Sequence, residues 1–182
     1  MSPSDRAGAR TIAALALALT AGCATAFQHH IYEFSGTAFA GGGFSVIAHP
    51  AYKGVSIEFQ NKTATPIHIV WAESAYLDME GKSHRVVHRG PKPDGLDDSG
   101  KPTPIAAGAS LIDLVIAEDL ISEEEGKRVI GDHLPTGYAA KESVGRSVTL
   151  YLVVKTPTPH PFPIRMTMKV GAAKARAAED DS

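Results

Sequence analysis

The sequence is poor in cysteine and in net charge. Cys23 is the only cysteine among 182 residues, which excludes an intrachain disulfide and a zinc site built on several cysteines. Lys and Arg together number 18 against 20 Asp and Glu, which leaves too little positive charge for binding a phosphate backbone. Hydrophobic residues make up 43% of the chain, as in ordinary globular proteins. We therefore expect one folded domain that does not bind nucleic acid.

The N-terminal segment lacks a long hydrophobic run but has the layout of an export signal. Arg6 and Arg10 precede the apolar residues 11–19, and small residues then lead to Cys23. As a helix, this run would span about 14 Å, whereas the hydrocarbon core of a bilayer is about 30 Å thick. The segment Leu19-Thr20-Ala21-Gly22-Cys23 resembles the lipobox at the end of bacterial lipoprotein signal peptides.

The resemblance to bacterial lipoproteins implies a lipid anchor. In that family the lipobox cysteine receives a diacylglyceryl group before the signal peptide is removed, so Cys23 is the expected site of lipid attachment. Several acyl chains on one residue hold a protein on a membrane almost permanently. Ala24 after the cysteine implies sorting to the outer membrane, with the protein facing the periplasm. We expect a signal peptide at 1–22 and a lipidated tether at 23–30.

The rest of the chain is dominated by short segments in which apolar and polar residues alternate. The clearest are Val55–Phe59 and Ile164–Val170, and the same period of two recurs at 44–48, 76–79, 83–88, 111–116 and 148–154. The pattern predicts an all-β domain over 31–170, a two-sheet antiparallel β-sandwich of immunoglobulin-like or similar type. The segment 148–154 is apolar on both faces and is expected to be central.

Three further segments complete the description of the chain, two within the predicted domain and one after it. Polar residues at 61–65 predict a turn that joins 55–59 to a returning strand at 67–71 as a hairpin. Ser122 and Glu125 form a capping-box pattern, which predicts one short helix within 119–131. The small and charged residues 171–182 are typical of a disordered tail.

Function in a β-sandwich often lies in its loops, and one predicted loop is long. Residues 90–104 are rich in glycine, proline and aspartate and show no periodicity, which predicts an exposed loop. Its charged side chains are the candidate contacts for an envelope protein partner, namely Lys92, Asp94, Asp97, Asp98 and Lys101. The same loop is equally compatible with a surface insertion that binds nothing.

The eight histidines suggest a possible metal site. His84 and His88 are four apart in a predicted strand, so they face the same side about 13 Å from each other. A single ion would therefore need a further ligand such as His68 from a neighbouring strand. Copper or zinc bound by His68, His84 and His88 is the alternative function that the sequence leaves open.

The sequence contains no recognisable catalytic motif. It has no Gly-x-Ser-x-Gly elbow, no His-Glu-x-x-His pair and no phosphate-binding loop. Glu73 continues the parity of Ile67, Ile69 and Trp71, so it points inward unless the strand bends or ends at Ala72, which is the interpretation we favour. The sequence thus predicts a non-enzymatic, lipid-anchored binding or assembly module without a cofactor.

Overall fold

The computed structural model describes residues 30–90, 96 and 100–175. The predicted signal peptide and lipid attachment site Cys23 lie outside these residues, as do Lys92, Asp94, Asp97 and Asp98. Among the described residues, no helix is both long and apolar enough to cross a membrane.

The described chain is mostly β, as the alternating sequence pattern predicts. In chain order the strands are β1 (His30–Ser35), β2 (Ala38–Gly41), β3 (Phe44–Ala51), β4 (Gly54–Asn61), β5 (Ile67–Ile69), β6 (Ala75–Leu77), β7 (Ser83–His88), β8 (Thr103–Ile105), β9 (Ser110–Ala117), β10 (Ile121–Glu124), β11 (Lys127–Ile130), β12 (Ser147–Lys155) and β13 (Phe162–Ala175). Short 3₁₀ turns span Trp71–Glu73 and Glu118–Leu120, and the helix α1 spans Gly137–Glu142.

Eleven strands are hydrogen-bonded into one antiparallel sheet. Its order is β1-β13-β12-β6-β7-β9-β4-β3-β2, and β5 pairs with both β12 and β8. The sheet curls into a half-barrel, so the predicted two-sheet sandwich is not confirmed. Gly36 joins β1 to β2 at a φ of 76°, and a Cβ there would lie 2.3 Å from the carbonyl oxygen of Thr167. Glycine therefore allows the chain to pass from β1, which pairs with β13, to β2, which pairs with β3.

Alternate residues of β3, β4, β12 and β13 fill one hydrophobic core. These side chains are Phe44, Val46, Ala48, Val55, Ile57, Phe59, Val148, Leu150, Leu152, Val154, Ile164, Met166, Met168 and Val170, all at most 2% exposed. Burial of each large apolar side chain stabilises the fold by about 1.5 to 3 kcal/mol. Met166 and Met168 are thus core residues, as their shared face with Ile164 and Val170 indicates.

The predicted hairpin across residues 61–65 is wrong. β4 pairs with β3 and β9, whereas β5 pairs with β12 and β8. The turn itself is present, because the side chain of Asn61 binds the backbone of Thr63 and Thr65. Turn residues show where a chain bends, but the pairing of the next strand depends on contacts distant in sequence.

The predicted helix within 119–131 is also wrong, because this segment forms the separate hairpin of β10 and β11. Glu125 and Gly126 both have positive φ, at 51° and 75°, as in the two-residue turns that match the twist of hairpins. Glu123 lies opposite Arg128, and Glu124 lies opposite Lys127. The opposite charges that suit a helix dipole therefore suit cross-strand pairing equally well.

The structure extends the predicted domain at both ends and confirms the predicted central position of the strand at 148–154. His30, predicted to end the tether, begins β1, and residues 171–175, predicted to start the tail, extend β13. β1 and the end of β13 pair with each other, which explains both shifts. β12 lies inside the sheet between β13 on one side and β5 and β6 on the other, as predicted for its apolar sequence.

Candidate functional site

A cleft of about 320 Å³ lies where β6 and β7 meet residues 131–136, the segment that follows the β10–β11 hairpin. Its most deeply buried lining residues are Tyr76, His84, His133 and Leu134. The more exposed part carries the carboxylates of Asp78, Glu80 and Asp132. Apolar surface comes from Met79, Leu120 and Pro135. A concave, partly apolar site with a few converging polar groups is the usual form of a ligand pocket.

The wall formed by residues 131–136 is fixed by hydrogen bonds to the turn between β3 and β4 and to the edge strand β1. The backbone N–H of His133 donates to the carbonyl of Tyr52 at 2.5 Å. The hydroxyl of Tyr32 in β1 donates to the carbonyl of Pro135 at 2.6 Å. These contacts hold an irregular segment in place against the regular sheet.

His84 is held between two carboxylates. Its Nδ1 lies 2.7 Å from Asp119 Oδ1, and its Nε2 lies 2.9 Å from Asp78 Oδ2. An ionised carboxylate only accepts hydrogen bonds, so both ring nitrogens must donate, and the arrangement requires the doubly protonated ring. Both nitrogens of His84 are therefore already committed.

The two carboxylates are stabilised in their ionised form. Burial acts to raise the pKa of Asp78, but hydrogen bonds from His84 and from the backbone of Lys82 and Glu80 outweigh it, so the pKa is lowered. Burial likewise opposes ionisation of Asp119, and hydrogen bonds from Lys82 and His84 again lower the pKa below its usual value. These acids therefore remain charged partners of His84 at neutral pH.

His133 is a neutral, buried histidine. Its Nε2 accepts a hydrogen bond from the backbone N–H of Ala117 at 3.1 Å, so the proton of the neutral ring is on Nδ1. Nδ1 is buried and has no hydrogen-bond partner among the described residues. Burial lowers the pKa of His133 to about 4, and the nearby charge of His84 acts in the same direction.

Tyr76 lies beside both histidines and lines the cleft. Its ring centroid is 5.1 Å from that of His133 and 6.1 Å from that of His84. The side chain is 2% exposed, and its hydroxyl makes no hydrogen bond to any residue that the structure describes. Burial raises the pKa of Tyr76, and the charges of Asp78 and Glu80 raise it further. The site therefore holds a neutral phenol whose hydroxyl has no hydrogen-bond partner among the described residues.

The buried neutral state of His133 predicts a pH-dependent stability. The pKa of His133 is about 4 in the folded chain against 6.5 for an unperturbed histidine. Its contribution to the free energy of unfolding is therefore complete above pH 6.5 and is lost as the pH falls towards the folded pKa. We expect the free energy of unfolding to fall by about 2 kcal/mol between pH 7.5 and 5 on this account. Urea unfolding at the two pH values measures it.

His133→Gln provides the test, since Gln does not titrate and its side-chain oxygen can accept the hydrogen bond from Ala117. This variant should lose about 2 kcal/mol less than the wild type over the same pH interval. His68→Gln, at an exposed position of β5, is the matched control and should keep the full pH dependence. An unchanged pH dependence in His133→Gln would show that His133 is not the titrating group.

The three histidines predicted as possible metal ligands do not converge. His84 and His88 are both buried, but the ring of His88 stacks on Trp71 at 4.3 Å and its Nδ1 lies 2.7 Å from Asp113. His68 is exposed on β5. Within residues 30–90, 96 and 100–175, no group of three or more His, Cys, Asp or Glu side chains is placed to hold a metal ion. The metal-binding alternative therefore gains no site from the described residues.

Glu73 and the predicted loop contacts lie away from the cleft. Glu73 is exposed in the 3₁₀ turn after β5, 3.6 Å from Lys155, so the chain bends as favoured and the carboxylate does not point inward. Lys101 is exposed shortly before β8. The other four predicted partner contacts and Cys23 lie outside the described residues.

The cleft could not be predicted from a local sequence motif, because its polar residues belong to four separate segments. Asp119 falls in the segment predicted as a helix and Asp78 in the predicted strand 76–79, whereas Asp132 and His133 have no periodic pattern around them. The adjacent acid and histidine at 132–133, between Gly131 and Pro135, were the one local sign of a polar site. The chain matches no protein-family model, no curated protein and no solved structure.

Proposed function

We propose that this protein is a lipid-anchored, periplasm-facing binding module of the bacterial envelope, and that the cleft is its binding site. The observation that carries the proposal is the phenol of Tyr76, which lines the cleft, belongs to a side chain only 2% exposed and makes no hydrogen bond to the described residues. A ligand that enters the cleft can supply the missing hydrogen bond while it covers Leu120 and Leu134.

The histidines of the cleft support a binding function without enzymatic activity. General acid or base catalysis needs a ring nitrogen that is free to exchange a proton with the substrate. Both nitrogens of His84 are bonded to carboxylates, and Nε2 of His133 is bonded to the backbone. Nδ1 of His133 has no partner among the described residues, but it carries the proton of the neutral ring, so it offers a ligand a hydrogen bond and not a base. The groups left for a ligand are hydrogen-bonding and charged groups on a rigid sheet, which suit recognition.

The proposed anchor would hold the cleft near the membrane. Cys23 precedes the first residue of β1, His30, by seven positions, a reach of at most about 25 Å. The hydroxyl of Tyr52 donates to the carbonyl of His30, and the carbonyl of Tyr52 accepts the backbone N–H of His133. The anchored end of the sheet and the cleft wall are therefore neighbours.

A protein partner remains part of the proposal, through the charged loop before β8. Of the five predicted contacts, Lys101 lies within the described residues, and it is exposed and so accessible to an amine-reactive cross-linker. Lys92, Asp94, Asp97 and Asp98 are proposed to share this surface. The loop would serve assembly in the envelope, whereas the cleft would serve a small ligand.

The anchor is tested by replacing Cys23. We expect wild-type protein to incorporate labelled palmitate in its own cells and to stay with the membrane fraction after a high-salt wash. Because the chain has no other cysteine, Cys23→Ser should abolish the labelling completely. Thr20→Ser in the same segment is the control and should remain labelled. Palmitate labelling that persists in Cys23→Ser would contradict the proposed anchor.

A further inference from the structure

We propose that the ligand of the cleft is a small organic cation, an ammonium group on an apolar body. The ligand class depends on the cleft being the binding site proposed above. Among the lining residues, Asp78, Glu80 and Asp132 are acidic, whereas His84 is the cation, and both of its N–H groups are bonded to carboxylates. The Nδ1–H group of His133 is a ring donor in the lining that has no partner among the described residues, so with three carboxylates the wall still offers more acceptors than donors.

The basic residues around the cleft pair with its acids but leave the carboxylates able to bind a ligand. Lys53 pairs with Asp132 at 2.8 Å and Arg146 pairs with Glu80 at 3.0 Å, while Lys82 pairs with Asp119 behind His84. The side chains of Lys53 and Arg146 are 56% and 43% exposed, and exposed ion pairs contribute little free energy. A carboxylate also has lone pairs for more than one donor, so an ammonium group can share these acids.

The deep part of the cleft suits the same ligand. The hydroxyl oxygen of Tyr76 can accept a hydrogen bond from an ammonium group, since it makes none within the described chain. Met79, Leu120 and Leu134 provide an apolar wall for the attached carbon chain. An anionic ligand of the same shape would be repelled by the three carboxylates, and an alcohol would gain no attraction from them.

Three probes of nearly equal shape separate these cases: hexylammonium, hexanol and hexanoate at pH 7. The full chain carrying Cys23→Ser is titrated with each, and binding is followed from the amide NMR signals of residues around the cleft. We expect hexylammonium to bind, hexanol to bind at least tenfold more weakly and hexanoate not to bind. Tyr76→Phe should weaken hexylammonium about fivefold by removing one hydrogen bond. Tyr151→Phe, on a half-buried tyrosine away from the cleft, should leave binding unchanged.

The charge on the rim is tested separately from the binding function. The double variant Glu80→Gln and Asp132→Asn should weaken hexylammonium about tenfold and leave hexanol unaffected. If hexanol or hexanoate binds at the cleft as tightly as hexylammonium and depends on Tyr76, the cation proposal is overturned while the binding function stands. If none of the probes shifts the cleft signals, the cation proposal is also overturned. The binding function then depends on whether protein isolated from its own cells carries a bound small molecule.

Discussion

Replacing Asn61 with alanine is expected to lower the free energy of unfolding by about 3 kcal/mol. Asn61 ends β4 and is completely buried. Its amide nitrogen lies 2.9 to 3.1 Å from the carbonyl oxygens of Thr65, Ile105 and Ala106. Its side-chain oxygen accepts hydrogen bonds from the backbone N–H and the hydroxyl of Thr63. Alanine would leave these groups without the side chain that links residues 63–65 to residues 105–106.

The measurement is urea unfolding of Asn61→Ala beside Gln60→Ala. Gln60 is the preceding residue of β4 and is exposed, so its replacement should change the free energy of unfolding by less than about 0.5 kcal/mol. Asn61→Asp should be at least as destabilising as Asn61→Ala, because a carboxylate cannot donate to the three carbonyls. A loss in Asn61→Ala no larger than in Gln60→Ala would refute the structural role of Asn61.

Replacing Asp113 with alanine is expected to have an effect of similar or greater size, about 4 kcal/mol. Asp113 Oδ2 lies 2.7 Å from Nδ1 of His88, and both side chains are 2% exposed. Its other oxygen accepts the backbone N–H groups of Gly90 and Leu114. Removing the carboxylate leaves a buried histidine and two backbone donors without this acceptor.

A double-mutant cycle distinguishes the direct interaction of Asp113 with His88 from a general loss of core packing. His88→Phe keeps a flat ring against Trp71, which stacks on His88 at 4.3 Å. The double variant Asp113→Ala and His88→Phe should lose less stability than the sum of the two single variants, since the two side chains interact directly. Glu58→Ala, at an exposed position of β4, controls for removal of a carboxylate. Additive losses would show that Asp113 and His88 act independently.

Much of the fold follows from the alternation of apolar residues. The parity of β3, β4, β12 and β13 correctly gives the inward-facing side chains, because a strand points successive residues to opposite faces. The same rule places both His84 and His88 on the buried side of β7. It says nothing about their partners, and both histidines prove to be bonded to acids that are distant in sequence.

The errors arise where two structures share one local pattern. Residues 119–131 carry a capping box followed by opposite charges, yet the positive φ of Glu125 and Gly126 turns them into a hairpin. The turn after Asn61 is real, but β5 pairs with β12 and β8 instead of β4. The cleft is harder still to predict, because His133 is placed by backbone contacts with Ala117 and Tyr52.

The central claim, that the cleft binds a small molecule, is tested most directly on protein isolated from its own cells. Wild type, Tyr76→Phe and Tyr151→Phe are purified in mild detergent, and their bound small molecules are released and quantified by mass spectrometry. We predict a molecule present in near-stoichiometric amount in wild type and Tyr151→Phe and in a measurably smaller amount in Tyr76→Phe, whose affinity is expected to be about fivefold lower. Equal amounts in all three proteins, or no bound molecule in any of them, would contradict the claim.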